Sequence, residues 1–166
     1  VDSDECMLRI ESVNQSTLTD SIYFAITPPP PSIISARGGD WHDPATWEGE
    51  VVPTATDNVI IGSGHTVFVD SVASCLDISF EDDTGRLGLE DDIYIYGDFY
   101  RYNTSVNPFY SGGNLWDAGA DMIFTGDAEI QTIHNLGTTS TSPYPLRIRN
   151  LVVDKSAGKF TTNPIE

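Results

Sequence analysis

The sequence predicts an all-β chain whose strands stack as a parallel β-helix, and three observations carry that expectation. Apolar runs are short, about three to six residues, and rich in β-branched and aromatic side chains. Tight-turn residues separate them, as in Gly62-Ser63-Gly64, Gly97-Asp98 and Gly126-Asp127. No window carries apolar residues at the helical period over about ten positions. Short strands with in-out alternation and wide corners suit coils stacked about 4.8 Å apart. The alternative is an antiparallel β-sandwich, which needs strands of about six residues joined by regular hairpins.

Taken in order, the first strands are Met7-Leu8-Arg9-Ile10-Glu11-Ser12-Val13 and Ser21-Ile22-Tyr23-Phe24-Ala25-Ile26-Thr27, with a polar loop between them. Two strands are marginal alone, so residues 1–27 read as the closing strands of a preceding immunoglobulin-like domain or as a docked hairpin. Pro28-Pro29-Pro30-Pro31 lacks amide hydrogens and favours extended backbone, which marks residues 28–34 as a stiff linker. Residues 35–166 form the β-helix module. Its runs begin with Asn58-Val59-Ile60-Ile61, His65–Asp70, Cys75–Phe80, Arg86–Leu89, Ile93–Tyr96 and Phe99–Tyr102. They continue with Asp121–Phe124, Glu129–Ile133, Leu146–Ile148, Leu151–Val153 and Lys159–Thr161, while 103–120 reads as an insertion looping away from the stack.

Composition excludes several function classes. The 166 residues hold 25 acids against 8 bases, a formal charge of −17. Such a chain lacks the clustered cations that a phosphate backbone or an anionic lipid surface requires, so neither nucleic acid nor membrane is an expected partner. No stretch approaches the roughly 20 continuous apolar residues of a membrane span. The opening Val1-Asp2-Ser3-Asp4-Glu5 has no basic-then-apolar leader, which suits a mature or excised exported fragment and equally a cytosolic protein. Cys6 and Cys75 show no metal spacing; Cys75 reads as a small buried thiol rather than half of a disulfide.

Gly39-Asp40-Trp41-His42-Asp43-Pro44-Ala45-Thr46-Trp47 is the most distinctive motif, followed by Val52-Pro53-Thr54-Ala55-Thr56-Asp57-Asn58-Val59-Ile60-Ile61 and Gly64-His65-Thr66-Val67-Phe68-Val69-Asp70. This opening resembles right-handed parallel β-helix repeats of large secreted and surface proteins of Bacteroidetes. It is also similar to the start of the eight-glycine extracellular domain family. Phe124-Thr125-Gly126, Gln131-Thr132-Ile133 and Asn150–Ser156 resemble later coils of the bacterial repeats. The resemblance covers roughly residues 35–161. It implies a right-handed β-helix, export and a role at the bacterial cell surface or in secretion; it carries over no catalytic residue.

The candidate site residues fall into three groups. Trp41, Pro44 and Trp47 suit a structural cap over the open end of the stack, although paired indoles are also how sugar platforms are built. Tyr94, Tyr96, Tyr100 and Tyr102 alternate and predict one aromatic face, with Trp116 in the insertion as a further carbohydrate-binding candidate. Glu81-Asp82-Asp83 and Glu90-Asp91-Asp92 each follow a strand. If those strands are neighbours, Asp82, Asp83, Asp91 and Asp92 are candidates for calcium, with solvated turn acids as the plainer reading. His42, His65 and His134 lie in separate regions, and His65 is expected to hydrogen-bond the backbone of its turn. Arg147 and Arg149 are the only paired cations, too few for a uronate-cleaving lyase.

These features predict a non-catalytic module of adhesion or carbohydrate association, monomeric, without cofactor unless calcium binds, and with an extracellular glycan or surface protein as partner. The alternatives are an accessory segment of a polysaccharide lyase or glycoside hydrolase, and a structural spacer with no ligand.

Overall fold

The computed structural model describes residues 30–82, 84–101, 120–135, 148 and 150–163. The described residues open with β1 (Ser32–Ile34) and β2 (Gly39–Asp40), then two 3-10 turns, Pro44–Thr46 and Glu48–Glu50. Next come β3 (Asn58–Ile61), β4 (Thr66–Val69), β5 (Ala73–Cys75), β6 (Ile78–Phe80), β7 (Arg86–Leu89) and β8 (Ile93–Ile95). The remaining strands are β9 (Phe99–Arg101), β10 (Met122–Gly126), β11 (Ile130–Asn135), β12 (Leu151–Lys155) and β13 (Lys159–Asn163).

The strands form three sheets, of order β1-β3-β6-β9-β11-β13, β12-β10-β8-β5 and β2-β4-β7. Every pairing between these strands is parallel. The chain visits the sheets in rotation. β3, β4 and β5 belong to three different sheets, and β6, β7 and β8 return to pair with each of them in turn. The all-β expectation therefore holds, and the antiparallel sandwich does not form among the described residues. Ser32 stands in register with Asn58, so β1 lies inside the stretch read as linker.

Each rung turns alternate side chains inward, and parallel register lines them up into columns. Val59, Ile78, Phe99 and Ile133 form one such column on the six-stranded sheet. Val67 and Leu87 face them from the three-stranded sheet, and Cys75, Ile95 and Phe124 from the four-stranded one. All nine are buried, and with their neighbours they make one continuous core. Phe80 meets Phe99 edge-on at 5.8 Å within it. Gly88 is needed mid-strand, because a Cβ there would lie 2.6 Å from the ring of Phe68 on the adjacent rung.

The loop after β2 folds back over the first rungs. Trp41 and Trp47 are 0% and 1% exposed, packed edge to face with centroids 5.0 Å apart. The Trp47 indole donates to the Trp41 carbonyl at 2.6 Å. Asp43 accepts from the Ala45 amide and so caps the 3-10 turn that Pro44 begins. An isolated antiparallel bridge between Ser35 and Trp47 fastens the loop to the chain before β2. Pro44 itself is exposed at the turn.

Truncating a fully buried indole removes a large apolar surface and leaves a void. Trp47→Ala should therefore cost ~3–5 kcal/mol, read from urea unfolding of the two proteins. A loss below about 1 kcal/mol, the scale of an ordinary surface change, would contradict the packing described.

Candidate functional site

The outward face of the six-stranded sheet gathers the most chemistry. Two columns run along it. In register, Asp77 precedes Asp98, which precedes Thr132 and then Thr161. Two residues on, Ile34, Ile60, Ser79, Tyr100 and His134 follow one another across five strands.

The first column is a ladder of corner carboxylates. Asp77 Oδ1 accepts the Asp98 amide at 2.7 Å, and Asp98 Oδ1 accepts the Thr132 amide at 2.8 Å. Each aspartate thus satisfies a backbone amide of the following rung. The other Asp98 oxygen, Oδ2, accepts from His134 Nε2 at 2.8 Å and from the Tyr100 hydroxyl at 3.2 Å. Facing a carboxylate fixes Nε2 as the donor. Thr132 and Thr161 continue the line through their hydroxyls, 3.0 Å apart.

In the second column, the Tyr100 and His134 rings stack at 4.4 Å with an interplanar angle of 2°. That separation is close to the rung spacing, so parallel pairing itself brings the rings face to face. Towards the start of the sheet, a depression of about 320 Å³ is lined by Ile34, Ile60, Ser79, Phe80 and Glu81. Ser79, whose small side chain lines this space, is next to Tyr100 in register.

Charge shapes the site as well. Burial, followed by the nearby charge of Asp98, pushes the Asp77 carboxyl above its ordinary value, while the Asp98 amide and His134 act against the rise. Ser79 is no nucleophile for the Asp98–His134 pair. The Tyr100 strand lies between Ser79 and His134, which puts them two rung spacings apart, roughly 10 Å. Base and nucleophile must approach within about 3 Å.

The tyrosines do not share one face. Tyr94 lies on β8 of the four-stranded sheet, opposite Ile123, whereas Tyr100 lies on β9 of the six-stranded sheet. The chain turns a corner at Gly97-Asp98, with Tyr96 at 38% exposure just before it. Alternation across Asp98 therefore links two faces rather than one. Tyr102 and Trp116 lie outside the described residues, as do Cys6, Arg147 and Arg149.

The acidic groups are also apart. Glu81 and Asp82 precede β7 and Glu90, Asp91 and Asp92 follow it, so they occupy opposite corners of one rung rather than neighbouring rungs. Asp83 lies outside the described residues. Asp82 accepts from the Ser63 and Thr84 hydroxyls, both at 2.6 Å, which hold its carboxyl down at about 2. Asp92 Oδ1 accepts the Asp121 amide at 2.7 Å, and Asp91 accepts from the Asp92 amide. Among the described residues, no three His, Cys, Asp or Glu side chains gather into a metal group. Asp82, Asp91 and Asp92 each accept hydrogen bonds at the corners of the rung.

His65 donates its amide to the Gly62 carbonyl of its turn at 3.1 Å, and its Nδ1 bonds the Ser35 hydroxyl at 2.9 Å. His42 pairs with Asp70 at 3.0 Å. Cys75 is a free thiol with no exposure, and burial pushes its pKa up. Among the described residues, no helix is long and apolar enough to cross a membrane. Set against known proteins, the chain matches no family model, no curated protein and no solved structure.

Asp77, Asp98 and His134 were not singled out by sequence reasoning. One signal was present: an aspartate stands immediately before β3, β6 and β9, as Asp57, Asp77 and Asp98. The raised pKa of Asp77 sets a sign for its effect. Its folded form binds a proton more readily than the unfolded chain, so its contribution favours folding at low pH and is lost as pH rises above the ordinary value of 3.8. Asp77→Asn keeps an acceptor for the Asp98 amide and removes the charge. It should raise stability at pH 7 by roughly 0.5 kcal/mol after solvent screening, with the gain vanishing near pH 3. Thermal melting at both pH values reads this; a loss at pH 7 would contradict it.

Proposed function

We propose that this chain is a right-handed parallel β-helix module that associates with neutral carbohydrate through the outer face of its six-stranded sheet. The observation that carries the reading is the line formed by the Ile34–Ile60–Ser79 depression and the stacked Tyr100–His134 pair, bordered by the Asp77 and Asp98 carboxylates. Sugar rings offer apolar C–H faces to aromatic and aliphatic surfaces and hydroxyls to carboxylate acceptors. A strip combining both matches that pattern. Its carboxylates and the −17 charge of the chain disfavour uronate polymers, leaving neutral glycans as the matching class.

The helical part of this reading is supported by strands that visit three sheets in rotation with parallel pairing throughout. Its handedness follows the strong general preference for right-handed crossovers between parallel strands. Trp41, Pro44 and Trp47 act here as the cap of the first coil. The motif resemblance adds export and a place at the cell surface. The distance between Ser79 and His134 favours binding over catalysis at this site.

A glycan array followed by calorimetric titration tests the proposal. The expected result is saturable binding of a neutral oligosaccharide that is lost in Ser79→Tyr, which fills the depression from the outward face. Ser79→Tyr should melt within a few degrees of the parent chain, since surface changes fall within about 0.5 kcal/mol. Retention of no neutral glycan, or binding equal in Ser79→Tyr, would overturn the reading.

A further inference from the structure

Recognition elements on the outer face of the six-stranded sheet are laid out in one dimension. Ile34, Ile60, Ser79, Tyr100 and His134 occupy one outward position on five successive rungs. Four rung spacings separate the first from the last, roughly 19 Å. The depression of about 320 Å³ draws on the first three of those rungs, through Ile34, Ile60, Ser79 and Phe80. The stacked rings of Tyr100 and His134 occupy the next two. The two elements therefore lie end to end along the line.

A polar border repeats beside that line. Asp77, Asp98, Thr132 and Thr161 stand in their own column on successive rungs. Glu81, just past the end of β6, lines the depression while its Oε2 accepts the Ser63 amide at 2.9 Å. Oxygen groups thus recur at the rung spacing along the strip. The depression by itself stands at the small end of sites that enclose a small ligand. A pyranose ring is about as wide as one rung spacing, so a single sugar covers the depression or the ring pair, never both.

We infer that the strip takes a run of consecutive sugars of a linear neutral polysaccharide, laid across the strands, with one subsite in the depression and another over the Tyr100–His134 rings. The inference rests on the carbohydrate reading above and adds the class of ligand: an extended repeating chain rather than one terminal sugar. A surface repeated once per rung matches a ligand repeated once per sugar. Covalent linkage supplies the affinity, because a sugar joined to one already bound meets the second subsite at high effective concentration. It does so without again losing the translational freedom of a separate molecule.

Calorimetric titration with malto-, cello-, manno- and xylo-oligosaccharides, each from monosaccharide to hexasaccharide, tests it. The expected result is that one series binds at least about tenfold more tightly as tetrasaccharide than as monosaccharide. Tyr100→Ala, checked for the circular dichroism of the parent, should remove most of that gain. The length series of the parent chain decides alone if the variant does not fold. A monosaccharide that binds as tightly as its tetrasaccharide, or a gain unchanged in folded Tyr100→Ala, would overturn the inference and leave the carbohydrate reading standing. No binding in any series would also overturn it, and a blank glycan array besides would remove the carbohydrate reading as well.

Discussion

Parallel, in-register pairing of each rung on the one before is the constraint from which the rest of this structure follows. Side chains alternate along a strand, so a slip of one residue would turn Ile78 and Phe99 outward and Ser79 and Tyr100 into the core. Correct register does the reverse, and it does so on all three sheets together. The core is therefore a set of columns, and so is the surface. Anything repeated at one position of the rung, whether apolar, aromatic or acidic, becomes a continuous line.

The corner aspartates show what such repetition costs and how the cost is offset. Stacking Asp77 under Asp98 sets two carboxylates one rung apart, and burial of Asp77 adds to the penalty. Each carboxylate accepts the amide of the next rung, and Asp98 gains His134 and Tyr100 besides. Hydrogen bonds to a charged acceptor are worth more than neutral ones, which helps the arrangement persist. The same pair of contacts holds the aromatic stack against the sheet. A surface made for one rung-to-rung purpose thereby gains the flat ring and fixed acceptors that sugar recognition uses.

Much of the strand content was legible because it depends on local sequence. Asn58-Val59-Ile60-Ile61 and Ile93-Tyr94-Ile95 declare their alternation, and the turn residues around them mark the corners. The distinctive Trp41 to Trp47 motif stood out for the same reason. What could not be read was which strand lies beside which. His134 reaches Asp98 only because β11 pairs with β9 across a long intervening segment, and no local pattern encodes that distance. The corner at Gly97-Asp98 likewise divides Tyr94 from Tyr100, although the alternation runs through it unbroken. Whether the acidic groups flanking β7 meet turned on the same unknown: corners of one rung and corners of successive rungs look alike in sequence.

The claim that parallel register lines up Ser79, Tyr100 and His134 can be tested directly by nuclear Overhauser contacts in the labelled chain. The account predicts cross-strand backbone contacts from Ser79 to Tyr100 and from Tyr100 to His134 in the evenly spaced pattern of parallel strands. The inward neighbours should show Ile78 to Phe99 and Phe99 to Ile133. Strong contacts between directly opposed α-protons, the signature of antiparallel pairing, or a register displaced by one residue would contradict it.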